Sequence, residues 1–238
     1  MKIGFIGDIH GRWPDLMEAI RLLEKHNVDI MVQVGDLGWW PRFGNDWHGA
    51  LENLQLESQL YFIDGNHEDF ENLKACCRFD VCKPQEIHPN LWYLPRGTVI
   101  DWDGVRFGFM RGARSIDALH RCEGIDWFAA EIPSYSEYMR LADEDLNIQV
   151  MVTHDGPTDM GDDLIGVKDD LLSEGCRVAL QRLKDIHQPE AWVHGHYHHP
   201  YNKEVNGCHL VGLGKLDDCV EDGVVIFDTQ TNQWEFVN

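Results

Sequence analysis

Short apolar runs recur along this chain, and each ends in a polar, glycine-bearing turn. Residues 2–9 (KIGFIGDI), 30–37 (IMVQVGDL) and 59–64 (QLYFID) read as buried strands, because short apolar runs bounded by turn residues fit strands better than helices. The same pattern predicts strands at 148–154, 190–195, 208–213 and 223–228. Residues 91–110 hold a Trp-Asp-Gly turn at 102–104 between β-rich runs, the pattern of a hairpin. Between strands the period changes. From Pro14 to Lys25, residues Leu16, Ala19, Ile20 and Leu23 share one face behind an early proline, which predicts a helix. Helical segments are also expected around 46–57, from just after Asn66 to about Ala75, and from about 171 to 185. Strands alternating with helices, followed by a strand-rich end, predict an α/β core of two packed sheets with helices outside. Residues 111–147 fit the alternation worst and read as an insertion, within a single domain spanning 1–238, that roofs the strand ends.

Polar motifs stand at those strand ends: GDIHG at 7–11, GDLG at 35–38, GNHE at 65–68, THDGP at 153–157 and HGHYHH at 194–199. Functional groups in open α/β sheets gather at the carboxyl ends of strands, so residues this far apart can meet in one crevice. Asp-x-His at 8–10 and His-x-His at 196–198 each put two side chains on one side of an extended chain. Taken singly, Asp8 reads equally as a helix cap, His154 as a buried histidine and GNHE as a turn. Taken together, Asp8, His10, Asp36, Asn66, His154, His196 and His198 form a set large enough for two divalent metals sharing a carboxylate.

Charge narrows the partners. Forty-one acidic against twenty basic residues give a net charge of −21, and no basic stripe appears. Such a surface repels a nucleic-acid duplex, whereas a small phosphate ester can reach a cationic centre within it. Seven cysteines, with no Cys-x-x-Cys pair, indicate neither a disulfide framework nor a zinc ribbon. No apolar run is long enough to span a membrane. The N-terminus opens directly into a strand without a basic leader, so a cytoplasmic location is expected.

The order GDxH, GD, GNHE, a later strand-end His and GHxH, from residue 7 to residue 198, resembles the calcineurin-like metallophosphoesterase superfamily. The resemblance implies a four-layer α/β/β/α sandwich of two mixed β-sheets flanked by helices. It implies one metal on Asp8, His10, Asp36 and His198, and another on Asp36, Asn66, His154 and His196, with Asp36 bridging. His67 would stabilise or protonate the leaving oxygen. Two dications about 3.5–4 Å apart clamp a phosphoryl group and acidify a bridging water, whose hydroxide attacks phosphorus in line. Mixed oxygen and nitrogen ligands suit two divalent ions, Mn²⁺ first, with Fe, Zn²⁺ or Mg²⁺ as alternatives.

This chain departs from one branch of that superfamily. The Ser/Thr phosphatases carry GDxVDRG, whereas residues 35–41 here read GDLGWWP. The carboxylate that orients the catalytic histidine and a phosphate-binding arginine are therefore missing, which disfavours a protein Ser/Thr phosphatase. Glu68 or Asp69 is left to orient His67, and Arg42, Arg111 or Arg114 to bind phosphate. RGARSID at 111–117 reads equally as a substrate-facing loop or a solvated turn. Trp39 and Trp40 are expected to pack against the insertion more than to stack on a base. His187 and His199 read as packing or surface residues. The expected function is hydrolysis of small, nucleotide-like phosphate mono- or diesters. Two alternatives stand beside it: a nuclease of single-stranded nucleic acid, which the acidity opposes, and a catalytically lapsed metal-binding regulator, which the intact ligand set opposes.

Overall fold

Two β-sheets lie face to face in a computed structural model that describes residues 1–40, 54–161, 174–217 and 219–237. The first sheet has seven strands: β1 (Lys2–Ile6), β2 (Ile30–Gln33), β3 (Gln59–Phe62), β4 (Gln85–His88), β5 (Leu91–Tyr93), β12 (Val224–Asp228) and β13 (Gln233–Phe236), in the order β13-β12-β1-β2-β3-β5-β4. The second has six: β6 (Thr98–Trp102), β7 (Val105–Met110), β8 (Val150–Thr153), β9 (Ala191–His194), β10 (Tyr201–Val205) and β11 (Cys208–Gly212), in the order β10-β11-β9-β8-β7-β6. Both are mixed. In the first sheet β1, β2, β3 and β5 run parallel, and in the second β7, β8, β9 and β11 do. Antiparallel strands close the edges.

Period-two alternation sorts each strand's side chains between two apolar layers. Ile3 and Phe5 of β1, Val150 and Val152 of β8, and Val225 and Phe227 of β12 fill the space between the sheets. The alternate residues face helices. Ile6, Met31 and Leu60 meet Leu16, Ala19, Ile20 and Leu23 of α1 (Trp13–Lys25), with Leu73 of α2 (Phe70–Cys76) in the same layer. Met151, Trp192 and Leu210 meet Leu180 and Leu183 of α4 (Glu174–His187), with Tyr138 of α3 (Tyr135–Met139) packed alongside. The result is the expected four-layer α/β/β/α sandwich. Among the described residues no helix is long and apolar enough to cross a membrane.

The hairpin of β6 and β7 turns at Asp103 and Gly104, both at positive φ, as a two-residue turn requires. The expected helix at 46–57 falls largely outside the described residues. So do positions 171–173 of the helix expected at 171–185, which is described as α4 over Glu174–His187. Residues 111–147 form the crossover from β7 to β8, containing α3 and three short 3₁₀ turns.

Candidate metal centre

Five strand ends, three from the first sheet and two from the second, deliver their motifs to one point. Asp8 and His10 follow β1, Asp36 follows β2, Asn66 follows β3, His154 follows β8, and His196 and His198 follow β9. His10 Nε2 lies 3.1 Å from His198 Nε2, 3.8 Å from Asp8 Oδ2 and 3.6 Å from Asp36 Oδ2. His198 Nε2 is 3.1 Å from the same Asp8 oxygen. On the other side of Asp36, His154 Nε2 lies 3.4 Å from Oδ1 and 3.0 Å from Asn66 Oδ1. Asp36 thus touches both halves of the cluster. His196 sends its main-chain N–H to both Asp8 oxygens at 3.2 Å, and its ring stands edge-on to His154 with centroids 5.0 Å apart.

The backbone is strained to achieve this. His10, Asp36, His196 and His198 all have positive φ, between 50° and 70°, a region that costs a non-glycine residue of order 1–3 kcal/mol. Glycines permit the close approach. A Cβ on Gly65 would sit 2.1 Å from Asp36 Oδ1, and one on Gly195 would sit 2.1 Å from Asp8 Oδ1.

Hydrogen bonds behind the cluster aim its donors. The Val34 carbonyl lies 2.9 Å from His154 Nδ1 and accepts its proton, leaving Nε2 to face Asp36 and Asn66. Asn66 Nδ2 donates to Ser115 Oγ at 3.0 Å, which turns the amide oxygen inward. Ser115 is itself pinned by Glu131, whose two oxygens accept from the Ser115 N–H at 2.7 Å and its hydroxyl at 2.8 Å.

Charge is concentrated accordingly. Burial alone would raise Asp36, but His154, His67 and His10 hold it well below the ordinary carboxylate range. Burial opposes protonation of His154, yet Asp36, by charge and hydrogen bond, raises it to about 10. Its hydrogen bond to Asp8 raises His198 against the opposing effect of burial. Paired buried carboxylates, converging imidazole nitrogens and one inward amide oxygen are the donor chemistry of divalent cations such as Mn²⁺, Fe²⁺ or Zn²⁺, so the residues fit a dinuclear centre.

His67 stands at the rim. Its N–H donates to Asp36 Oδ1 at 2.7 Å, and its ring lies 5.0 Å from that of His10. Neither of the two carboxylates expected to orient it does so. Glu68 accepts the main-chain N–H groups of Leu37 and Trp39, tying the GDLG turn to the GNHE turn, and Asp69 caps α2 through Asn72. Arg121, which the sequence did not single out, faces the His67 ring instead, with its terminal nitrogens 3.0 Å from Nδ1 and 3.3 Å from Nε2. Burial lowers His67, Asp36 partly offsets this, and Arg121 lowers it further.

Of the three arginines expected at the phosphate, Arg111 is placed otherwise. Arg111 is fully buried, paired with Asp64 and Tyr93, its guanidinium carbon 4.4 Å from the Tyr93 ring centre; it cannot reach a substrate. The strand end that suggested it turns inward because Asp64 waits beneath. Arg114 is half-buried, and its Nε has no hydrogen-bond partner among the described residues. Arg42 lies outside the described residues. Trp40 donates to the His67 carbonyl and leans on Phe128 of the 111–147 segment, as expected, whereas Trp39 stacks on Phe62 of β3 in the layer that α1 covers.

A two-sheet sandwich with carboxylates and imidazoles gathered at its strand ends forms a candidate centre for divalent metals. Over residues 1–200 the sequence matches the calcineurin-like phosphoesterase family, and the chain belongs to it; it is a metallophosphoesterase. Among solved structures it is similar to TT1561 of Thermus thermophilus, at 16% identity over 98% of this chain and 96% of that one, with a TM-score of 0.59. It is similar also to GAP50, the anchor in the inner membrane complex of Plasmodium, at 11% identity over 100% and 88%, with a TM-score of 0.58. Likeness at these identities is a likeness of fold. No curated protein matches the chain.

Proposed function

We propose that this protein hydrolyses small, nucleotide-like phosphate mono- or diesters at a dinuclear centre. Asp8, His10, Asp36 and His198 would hold one ion and Asp36, Asn66, His154 and His196 the other, with Mn²⁺ as the first candidate. When bound, a pair of dications polarises the phosphoryl oxygens and acidifies water enough to attack phosphorus near neutral pH. The protein's own residues do the rest. Asp36 orients both halves of the centre and, through the His67 N–H, fixes the rim beside it. Burial first, and a guanidinium 3.0 Å from the ring second, disfavour a positive charge on His67, which would serve as a neutral donor to the leaving oxygen. The Glu131–Ser115–Asn66 chain keeps an amide oxygen, rather than an amide nitrogen, turned to the metals.

The observation that carries this reading is the position of Asp36, within 4 Å of His10 on one side and His154 on the other. The net charge of −21 supports a compact substrate, because a long polyanion would lie against acidic rims. The test compares the Mn²⁺-loaded protein on a chromogenic phosphomonoester, a phosphodiester, nucleotides and single- or double-stranded DNA. Turnover of the small esters with kcat/KM well above that for DNA is expected. Efficient duplex cleavage at low salt, lost steeply as salt is added, would replace this reading with a nuclease.

A further inference from the structure

We propose that Arg121 binds a non-bridging oxygen of the phosphoryl group, an assignment that rests on the phosphoesterase reading above. Arg121 comes from the crossover between β7 and β8, 54 residues along the chain from His67. Asp117 fixes its orientation, accepting from Nε at 2.9 Å with the terminal NH2 nitrogen at 2.8 Å, and the Asp126 carbonyl lies 3.4 Å from the other terminal nitrogen. A guanidinium carries five N–H groups and a neutral imidazole only one acceptor nitrogen. Asp117 takes two of the five, and the Asp126 carbonyl takes at most one. The remaining N–H groups face Nδ1 and Nε2 of His67, which together accept once. At least one guanidinium N–H beside His67, whose ring lies 5.0 Å from that of His10, is therefore left without an acceptor among the described residues. An anionic oxygen lying between His67 and the cluster supplies it.

Other cations are less well placed. Arg111 is fully buried and committed to Asp64. Lys215, on the His10 and His198 side, is ion-paired with Asp217 at 2.7 Å. The Arg121 side chain is only 16% exposed, so its charge acts where water is scarce. Held by a carboxylate before substrate arrives, it needs no rearrangement to bind, and that is what makes a donor effective against developing charge.

The test is calorimetric titration of inorganic phosphate into the Mn²⁺-loaded protein, together with phosphate inhibition of ester hydrolysis. In Arg121→Gln, phosphate affinity is expected to fall at least about tenfold, the lower end of what a preorganised oxyanion donor contributes. Arg121→Lys should recover part of the loss, and Lys215→Gln should bind phosphate as the parent does. Metal content and Tm should be unchanged in all three. Phosphate affinity unchanged in Arg121→Gln, or lost in Lys215→Gln instead, would overturn the assignment, and so would a loss accompanied by falling metal content. If the parent hydrolyses no phosphoester, the phosphoesterase reading fails on its own. Calorimetry still decides Arg121: phosphate binding weakened by Arg121→Gln upholds it, and no phosphate binding by the parent overturns it.

Discussion

Asp36 Oδ1 accepts the main-chain N–H of His67 at 2.7 Å, so the carboxylate shared by the two halves of the cluster also positions the histidine at its rim. The same oxygen lies 3.4 Å from His154 Nε2. One side chain therefore links two strand ends of the first sheet to one of the second. Asp36→Asn is expected to lower bound metal below two ions per chain and to abolish turnover, because a neutral amide serves both sites less well. Metal analysis and a phosphoester assay on the same preparation check it; retention of both ions with near-parental turnover would remove Asp36 from its bridging place.

His67→Ala should leave metal content intact and lower kcat by ~10²-fold, the scale of a well-placed donor. With the imidazole neutral beside Arg121, the loss should be of similar size for good and poor leaving groups. A loss confined to the poor leaving group would make His67 a proton donor instead.

Ser115→Ala removes the acceptor that turns Asn66. The amide is then free to flip, and buried Glu131 loses the hydroxyl it accepts from. Metal affinity should fall by about 10–100-fold, as is typical when an outer partner of a ligand is lost. The measurement is chelator competition at equilibrium. Unchanged affinity would mean that packing alone holds Asn66.

Asp64 stands between two buried arginines. Its carboxylate accepts from Arg96 at 2.9 Å and from the Tyr93 hydroxyl at 2.9 Å, and it pairs with Arg111. Asp64→Ala leaves buried positive charge with Glu137 the one carboxylate paired with it among the described residues, and removing one partner of a buried ion pair costs about 3–5 kcal/mol. In a domain of this size that is a fall in Tm on the order of 10 °C, read by thermal denaturation of the metal-free protein.

Much of the site was legible because a strand end announces itself locally. An apolar run ending in a turn that carries an acid, amide or histidine marks both the strand and the candidate residue, and such turns at neighbouring strand ends are brought close together. The strands themselves are shorter than the runs: KIGFIGDI is strand only over Lys2–Ile6, since the residues beyond form the turn that carries Asp8. Three of the four edge strands were not foreseen, β6 being marked by its hairpin turn. QEIH and YNKEV form β4 and β10 with mostly polar or exposed side chains and no clear apolar alternation, and QWEF forms β13 with an alternation only four residues long. The helix after GNHE begins only at Phe70, because Glu68 is held by the Leu37 and Trp39 amides and Asp69 is the cap. Arg121 carried no signal at all. Its place beside His67 is set by the path of the crossover and by Asp117, neither of which leaves a periodic or motif-like trace.

The most direct test of the dinuclear hydrolase is a metal titration of the chelator-stripped protein, with bound Mn²⁺ and phosphoester turnover read on the same samples. Turnover should be absent in the stripped protein, rise with bound metal and level off at two ions per chain. Full turnover without metal, or a plateau at one ion with no further gain, would contradict it.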